Sequence, residues 1–164
     1  MDNNEMRVGK IKNGTVIDHI PSGKALDILQ MLHLSEKNNI ISILINAPSS
    51  KYGKKDILKI ENLELDSEST NRISLLAPNA TINIIRNFEI IEKRQVSIPD
   101  TMIGIIPCIN PNCISRNERE HIQSIFSTIS RDPLLLKCNY CGKQMDAEEI
   151  TMQLKLVYNM KSFL

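Results

Sequence analysis

The chain contains four cysteines, Cys108, Cys113, Cys138 and Cys141, which fall as two short hooks, C-x4-C and C-x2-C, with 24 residues between them. Each hook sets two sulfurs on a tight turn, and the intervening loop lets the hooks face one another, as a tetrahedral thiolate site requires. Soft thiolates in that arrangement favour Zn²⁺, with iron as the alternative. A shell closed by protein sulfur leaves no position for water or substrate, so one such ion holds structure and performs no chemistry. The competing reading is a pair of disulfides. Met1 is followed by Asp2, Asn3, Asn4 and Glu5 and not by an apolar leader. A reducing, cytoplasmic setting is therefore expected, and the metal site with it.

The cysteines also divide the chain. All of them lie beyond Val96-Ser97-Ile98-Pro99-Asp100, where Pro99 forces its neighbour extended and cannot donate to a ladder. Two domains are expected, 1–98 and 99–164. The second, at roughly 60 residues, buries too little apolar surface to hold without a staple, which structural zinc supplies. Over the 164 residues, 41% are hydrophobic and 24% charged, an ordinary globular composition. No apolar run reaches the roughly 20 residues of a membrane span. A net charge of +1 gives no bulk attraction to nucleic acid, and three Phe, three Tyr and no Trp offer little for base stacking. A zinc-ribbon nucleic-acid-binding factor remains the rival reading, although residues 104–145 carry only Phe126 and Tyr140 as aromatics.

Before the seam, the elements follow a legible order. Thr15 to Ile20 is β-branched and strand-like, closed by Pro21. Ser22 is positioned to cap a helix whose apolar residues Ala25, Ile28, Leu29 and Leu32 keep helical spacing. Ile40 to Ala47 and Lys55 to Glu61 read as a strand pair around the loop Ser49–Gly53. Asp66, Ser67 and Glu68 open a second helix that carries Ile73 and Leu76 and stops before Pro78. Thr81–Ile85 and Phe88–Ile91 flank a hairpin turn placed at Arg86-Asn87. The order β-α-β-β-α-β with one further strand predicts an α+β, ferredoxin-like domain: an antiparallel sheet, two helices and the first strand central. Beyond the seam a small β-rich zinc domain, held by the four cysteines, is expected. Its last segment, from Asp146, fits a helix through Ile150, Leu154, Val157 and Tyr158, yet it also alternates like a strand.

Neither a G-x-S-x-G, H-E-x-x-H, P-loop nor G-x-G-x-x-G motif is present, so no catalytic residue is assigned. His33 and His121 read as surface histidines, and Lys51, Lys54 and Lys55 as a solvated basic loop. Asp18-His19 interrupts a strand of Val and Ile with two ionisable groups, and Lys59 sits inside Ile57-Leu58-Lys59-Ile60. Charged strand ends are common on surfaces; the sharper reading is an anion site built from ammonium and imidazole groups with a carboxylate beside them.

These stretches carry a resemblance. Gly14-Thr15-Val16-Ile17-Asp18-His19-Ile20-Pro21, Lys55–Asn62 and Leu76–Asn83, together with Cys108–Ser115 and Leu136–Cys141, are similar to the regulatory chains of aspartate carbamoyltransferase, over roughly residues 7 to 145. The resemblance implies a non-catalytic subunit of an enzyme of pyrimidine biosynthesis, with a nucleotide-effector domain and a zinc domain that docks on the catalytic chain. It implies that CTP inhibits and ATP activates at one site, with UTP a further candidate effector, and that regulatory chains pair as homodimers; neither nucleic acid nor membrane is a partner. It places His19 and Lys93 at phosphate or ribose, Lys59 at ribose and base, and Asp18 in the polar network between them. Backbone at Ile11 and Phe88 would read the base edge, with Asn83 close by and Val8 in the adjoining segment. Gly9-Lys10 stands where better-known members carry an acidic and then a small residue, and Phe88 replaces a common Tyr. The chain also continues past Met145 beyond the shorter members.

Overall fold

The computed structural model describes residues 9–34 and 38–161, with side chains to Tyr158. The first unit runs β1 (Gly14–Pro21), α1 (Ala25–Met31), β2 (Ile41–Ser49), β3 (Gly53–Glu61), α2 (Ser67–Leu76), β4 (Thr81–Arg86) and β5 (Glu89–Gln95). Its sheet has the order β2-β3-β1-β4-β5, and every neighbouring pair is antiparallel. The first strand is central, as the split β-α-β order requires. Strand periodicity then divides the side chains between two faces. Ile17 lies across from Leu58 and Ile82, all fully buried in the core with Ile28, Met31 and Ile73 of the helices. The alternate positions Val16, Lys59 and Asn83 line up across the opposite face, which no helix covers among the described residues. Near the end of β1 the register shifts between Ile17 and Ile20, and His19 takes a φ of 58°. That bulge returns Ile20 to the core while presenting Asp18 on the open side.

The start of α1 differs from the sequence expectation. Its cap is Asp56, fully buried on β3, and not Ser22. One Asp56 oxygen accepts from the amides of Gly23 (2.8 Å) and Ala25 (3.2 Å), and the other from Asn46 (3.0 Å) at the bulge of β2. Ser22 Oγ donates instead to Asn46 Oδ1. A cap supplied from a strand 31 to 33 residues away has no local signature. Asp56→Ala takes the carboxylate acceptor from all three amides, the buried one of Ala25 included, and is expected to cost about 2–4 kcal/mol in a denaturant titration; an unchanged midpoint would show that water replaces the carboxyl group. α2 follows expectation: Asp66 caps it through Ser69 N–H at 2.7 Å.

The β4–β5 turn is also one residue later than expected. Asn87 and Phe88 are its central pair, with φ of 51° and 65°. Arg86 stays in the ladder opposite Glu89 and pairs with Glu64 at 2.7 Å. A two-residue turn with positive φ at both positions matches the twist of its strands. The Asn87 amide donates to Asn13 Oδ1 (3.1 Å) and the Phe88 amide to the Lys12 carbonyl (2.9 Å), tying the turn to the segment before β1.

The second unit is a sheet of β6 (Thr101–Ile103), β7 (Ile125–Arg131), β8 (Leu134–Cys138) and β9 (Gln144–Asp146) in that spatial order, followed by α3 (Ala147–Lys161). The ambiguous last segment is thus a helix, with Ile150, Leu154 and Tyr158 on its buried face. Asp146 and Glu149 form a reciprocal cap: the Glu149 amide donates to Asp146 Oδ1 (2.9 Å) and the Asp146 amide to Glu149 Oε2 (3.0 Å). The seam is packed and not a free linker. Val96 and Ile98 are buried, Thr128 Oγ1 donates to the Pro99 carbonyl (2.7 Å), and Arg131 Nε donates to the Ile98 carbonyl (3.1 Å). Core residues of both units form one continuous apolar cluster, and α3 lies against α1 and α2.

Candidate metal centre and effector cleft

The hooks close on one another. All four cysteine sulfurs lie within 4.8 Å of each other, with Cys108, Cys113 and Cys138 buried and Cys141 exposed. The Cys108–Cys141 and Cys113–Cys138 Sγ separations are 3.6 and 3.7 Å, so these are free thiols and not disulfides. Sulfurs at the corners of a tetrahedron around an ion at the usual zinc–sulfur distance sit about 3.8 Å apart, so the donor set fits such an ion. Local backbone builds each hook. Gly142 turns at φ 78°, and its amide donates to the Cys138 carbonyl at 3.0 Å. On the other hook the Cys113 amide donates to the Asn110 carbonyl at 3.1 Å, and Arg116 Nη1 braces the Cys108 carbonyl at 2.9 Å.

The thiols differ electrostatically. Burial pushes Cys108 well above the ordinary thiol range and raises Cys138 as well. The Lys143 amide, aimed at exposed Cys141, brings that thiol down to about 6. The centre therefore already presents one thiolate near neutral pH, and a bound cation must displace protons from the buried pair.

On the open face of the first sheet lies a cleft of about 330 Å³. Asp18, Lys59 and Asn83 line it, with Val16, Ile85 and Ile90 as its apolar wall and Lys10, Ile11 and Phe88 at the remaining sides. Asp18 pairs with Lys55 Nζ at 2.9 Å and not with Lys59. Lys59 Nζ donates to the Gly9 carbonyl at 3.0 Å, holding Gly9 against this face. Asn83 is buried, and its Oδ1 has no hydrogen-bond partner among the described residues. A buried amide oxygen left unsatisfied on a cleft wall is an acceptor available to a ligand.

The other expected residues are placed less directly. Lys93 lies across from Asn83 on β5, exposed and outside the cleft wall. His19 borders a neighbouring hollow with Tyr52 and Lys54, its Nδ1 3.3 Å from Thr81 Oγ1 and its ring edge-on to Tyr52 at 6.4 Å. Val8 lies outside the described residues. Lys55, Val16, Ile85 and Ile90 join the site without having been singled out by the sequence. Lys55 reads there as part of a solvated loop, but period two from Lys59 puts it on the same face. His33 is not a plain surface histidine either: its ring meets Tyr158 edge-on at 6.3 Å.

An antiparallel sheet with an open, lysine-bearing cleft, joined to a unit whose four thiols fit one metal ion, defines a two-unit protein with a metal-binding domain. Comparison with known proteins narrows the class. The family profile described as aspartate carbamoyltransferase regulatory chain, allosteric domain, matches residues 6–97, and that of the metal binding domain matches residues 100–151. The aspartate carbamoyltransferase regulatory chain of Korarchaeum cryptofilum is 48% identical over 151 residues, covering 92% of this chain and 96% of the relative. Those of Thermococcus onnurineus and Pyrococcus abyssi are 48% and 47% identical, over 92% of this chain and 99% of each relative. The chain belongs to the aspartate carbamoyltransferase regulatory chain family. It is a non-catalytic regulatory chain with an allosteric and a metal-binding domain, serving an enzyme of pyrimidine biosynthesis. Among the described residues, no helix is long and apolar enough to cross a membrane.

Proposed function

We propose that this chain binds nucleoside triphosphates on the open sheet face and passes their effect to a catalytic chain of aspartate carbamoyltransferase in the cytoplasm. The observation that carries the reading is one cleft holding Asp18, Lys59 and the unsatisfied Oδ1 of Asn83, with the Lys55 ammonium against Asp18. Ammonium groups suit phosphate, a carboxylate suits ribose hydroxyls, and a narrow apolar wall suits a base. Lys93 and His19 flank that cleft where a triphosphate would extend. CTP acts as inhibitor and ATP as activator at this shared site, with UTP as a further ligand. The effect requires only that each nucleotide prefer one quaternary state of the assembly.

Residues 1–98 form the effector unit and 99–164 the unit that holds one structural Zn²⁺. Ile103, Ile114 and Tyr140 leave exposed apolar surface on the latter for the catalytic chain. Strand β2 is a sheet edge with half-buried Ile41, Ile43 and Leu44 and exposed Ile45, which supports pairing of effector units into a homodimer. Titration calorimetry of the zinc-loaded chain is expected to show CTP and ATP competing for one saturable site per chain. Absence of heat with either nucleotide would remove the effector reading.

A further inference from the structure

Helix α3 continues beyond the part that the family profile describes: the metal-domain match ends at residue 151, and the helix runs to Lys161. The additional turns are not a solvated tail. Gln153, Leu154 and Tyr158 are 4%, 1% and 5% exposed, and the helix packs on α1 and α2 behind the effector sheet. Lys155 Nζ stands 3.6 Å from Asp27 Oδ1 of α1, and Tyr158 meets His33, just past α1, edge-on.

At its other end α3 is fixed to the metal hook without a loop. Asp146 ends β9 and caps α3 through the exchange with Glu149, while Gln144 and Met145 pair with Lys137 and Leu136, next to the ligand Cys138. Rigid pieces therefore run unbroken from one sulfur to the helix layer of the other unit. Gln153 Oε1 is buried on that helix with no hydrogen-bond partner among the described residues, so the packing there is less than fully satisfied.

We infer that residues 152–161 of α3 are a strap that carries the state of the tetrathiolate centre to α1 and α2, so that metal occupancy sets the local stability of those helices. This route is separate from the seam at Val96–Asp100. It is read without nucleotide and so stands or falls independently of the effector assignment.

Hydrogen exchange followed by mass spectrometry on the full chain, with Zn²⁺ bound or removed by a chelator, tests it. In the native chain, chelation is expected to speed exchange across residues 25–31 and 67–76 by about tenfold or more, while β4 amides keep their protection. In Tyr158→Ala, exchange in those helices is already fast with zinc bound, and chelation adds less than about twofold to it. A chain ending at Thr151, the length the profile covers, should behave as Tyr158→Ala does and serves if that variant folds poorly. The inference is overturned if α1 and α2 ignore chelation in the native chain. Equal loss of protection in β4, or a full metal response retained without the strap, overturns it as well.

Discussion

Cys138→Ser is expected to leave the chain without stably bound metal and to abolish its capture by the catalytic chain. Cys138 is 1% exposed at the end of β8, and its carbonyl and amide also shape the hook. Removing one of four thiolates forfeits much of a binding energy that runs to about 10–16 kcal/mol for structural zinc, far more than a unit of this size gains from its own core. The β6–β9 sheet should unfold, while the effector sheet, built on Ile17, Leu58 and Ile82, should keep its strand signature in circular dichroism. Metal analysis giving one equivalent per wild-type chain and none for the variant checks the first part, and co-purification with the catalytic chain checks the second. A variant that remains metal-free, folded and assembled would show that the sulfurs are not a staple.

The same centre should respond to pH. Cys141, lowered from 9.0 to about 6, contributes to the metal-free fold fully above its ordinary value, and this contribution is lost as the pH falls through about 6. Cys108 and Cys138 are shifted upward, so their protons must leave on binding. Zinc affinity should therefore fall steadily on acidification, with proton release measurable in buffers of different ionisation enthalpy.

Lys59→Ala is expected to weaken both CTP and ATP by about 10- to 150-fold, the equivalent of about 1.5–3 kcal/mol for a contact to a charged group. The substitution removes a cation from the cleft and also frees the Gly9 carbonyl that Lys59 holds. Lys93→Ala provides the contrast. Lys93 is exposed and off the wall, so its loss should reduce affinity for triphosphates and leave nucleosides nearly unaffected. Calorimetry on the pair separates the two roles. Unchanged affinity in both variants would move the site off this face.

Much of this architecture is legible in residue order because its signals are local. β-Branched residues in Thr15–Ile20, closed by Pro21, mark a strand; Asp66 ahead of an amphipathic run marks α2; two cysteine hooks mark the metal unit. What escaped depends on residues distant in the chain. Asp56 caps α1 from another strand, which no window around Ser22 reveals. The Asn87–Phe88 turn sits one residue late because Arg86 stays in the ladder with Glu89 and pairs with Glu64. Lys55 joins the cleft through Asp18, 37 positions away, and not through the basic run in which it lies.

Sequence by itself determined the fold class and the ligand set for one metal. Each follows from periodicity or spacing, which a linear chain carries explicitly. The tertiary structure alone decided that Lys55 and not Lys59 holds Asp18, that His19 turns toward Thr81 and Tyr52, and that α3 bridges the units. Those outcomes depend on a one-residue bulge and on how helices seat against a sheet. There, differences of an ångström select the partner, and composition and periodicity carry no record of them.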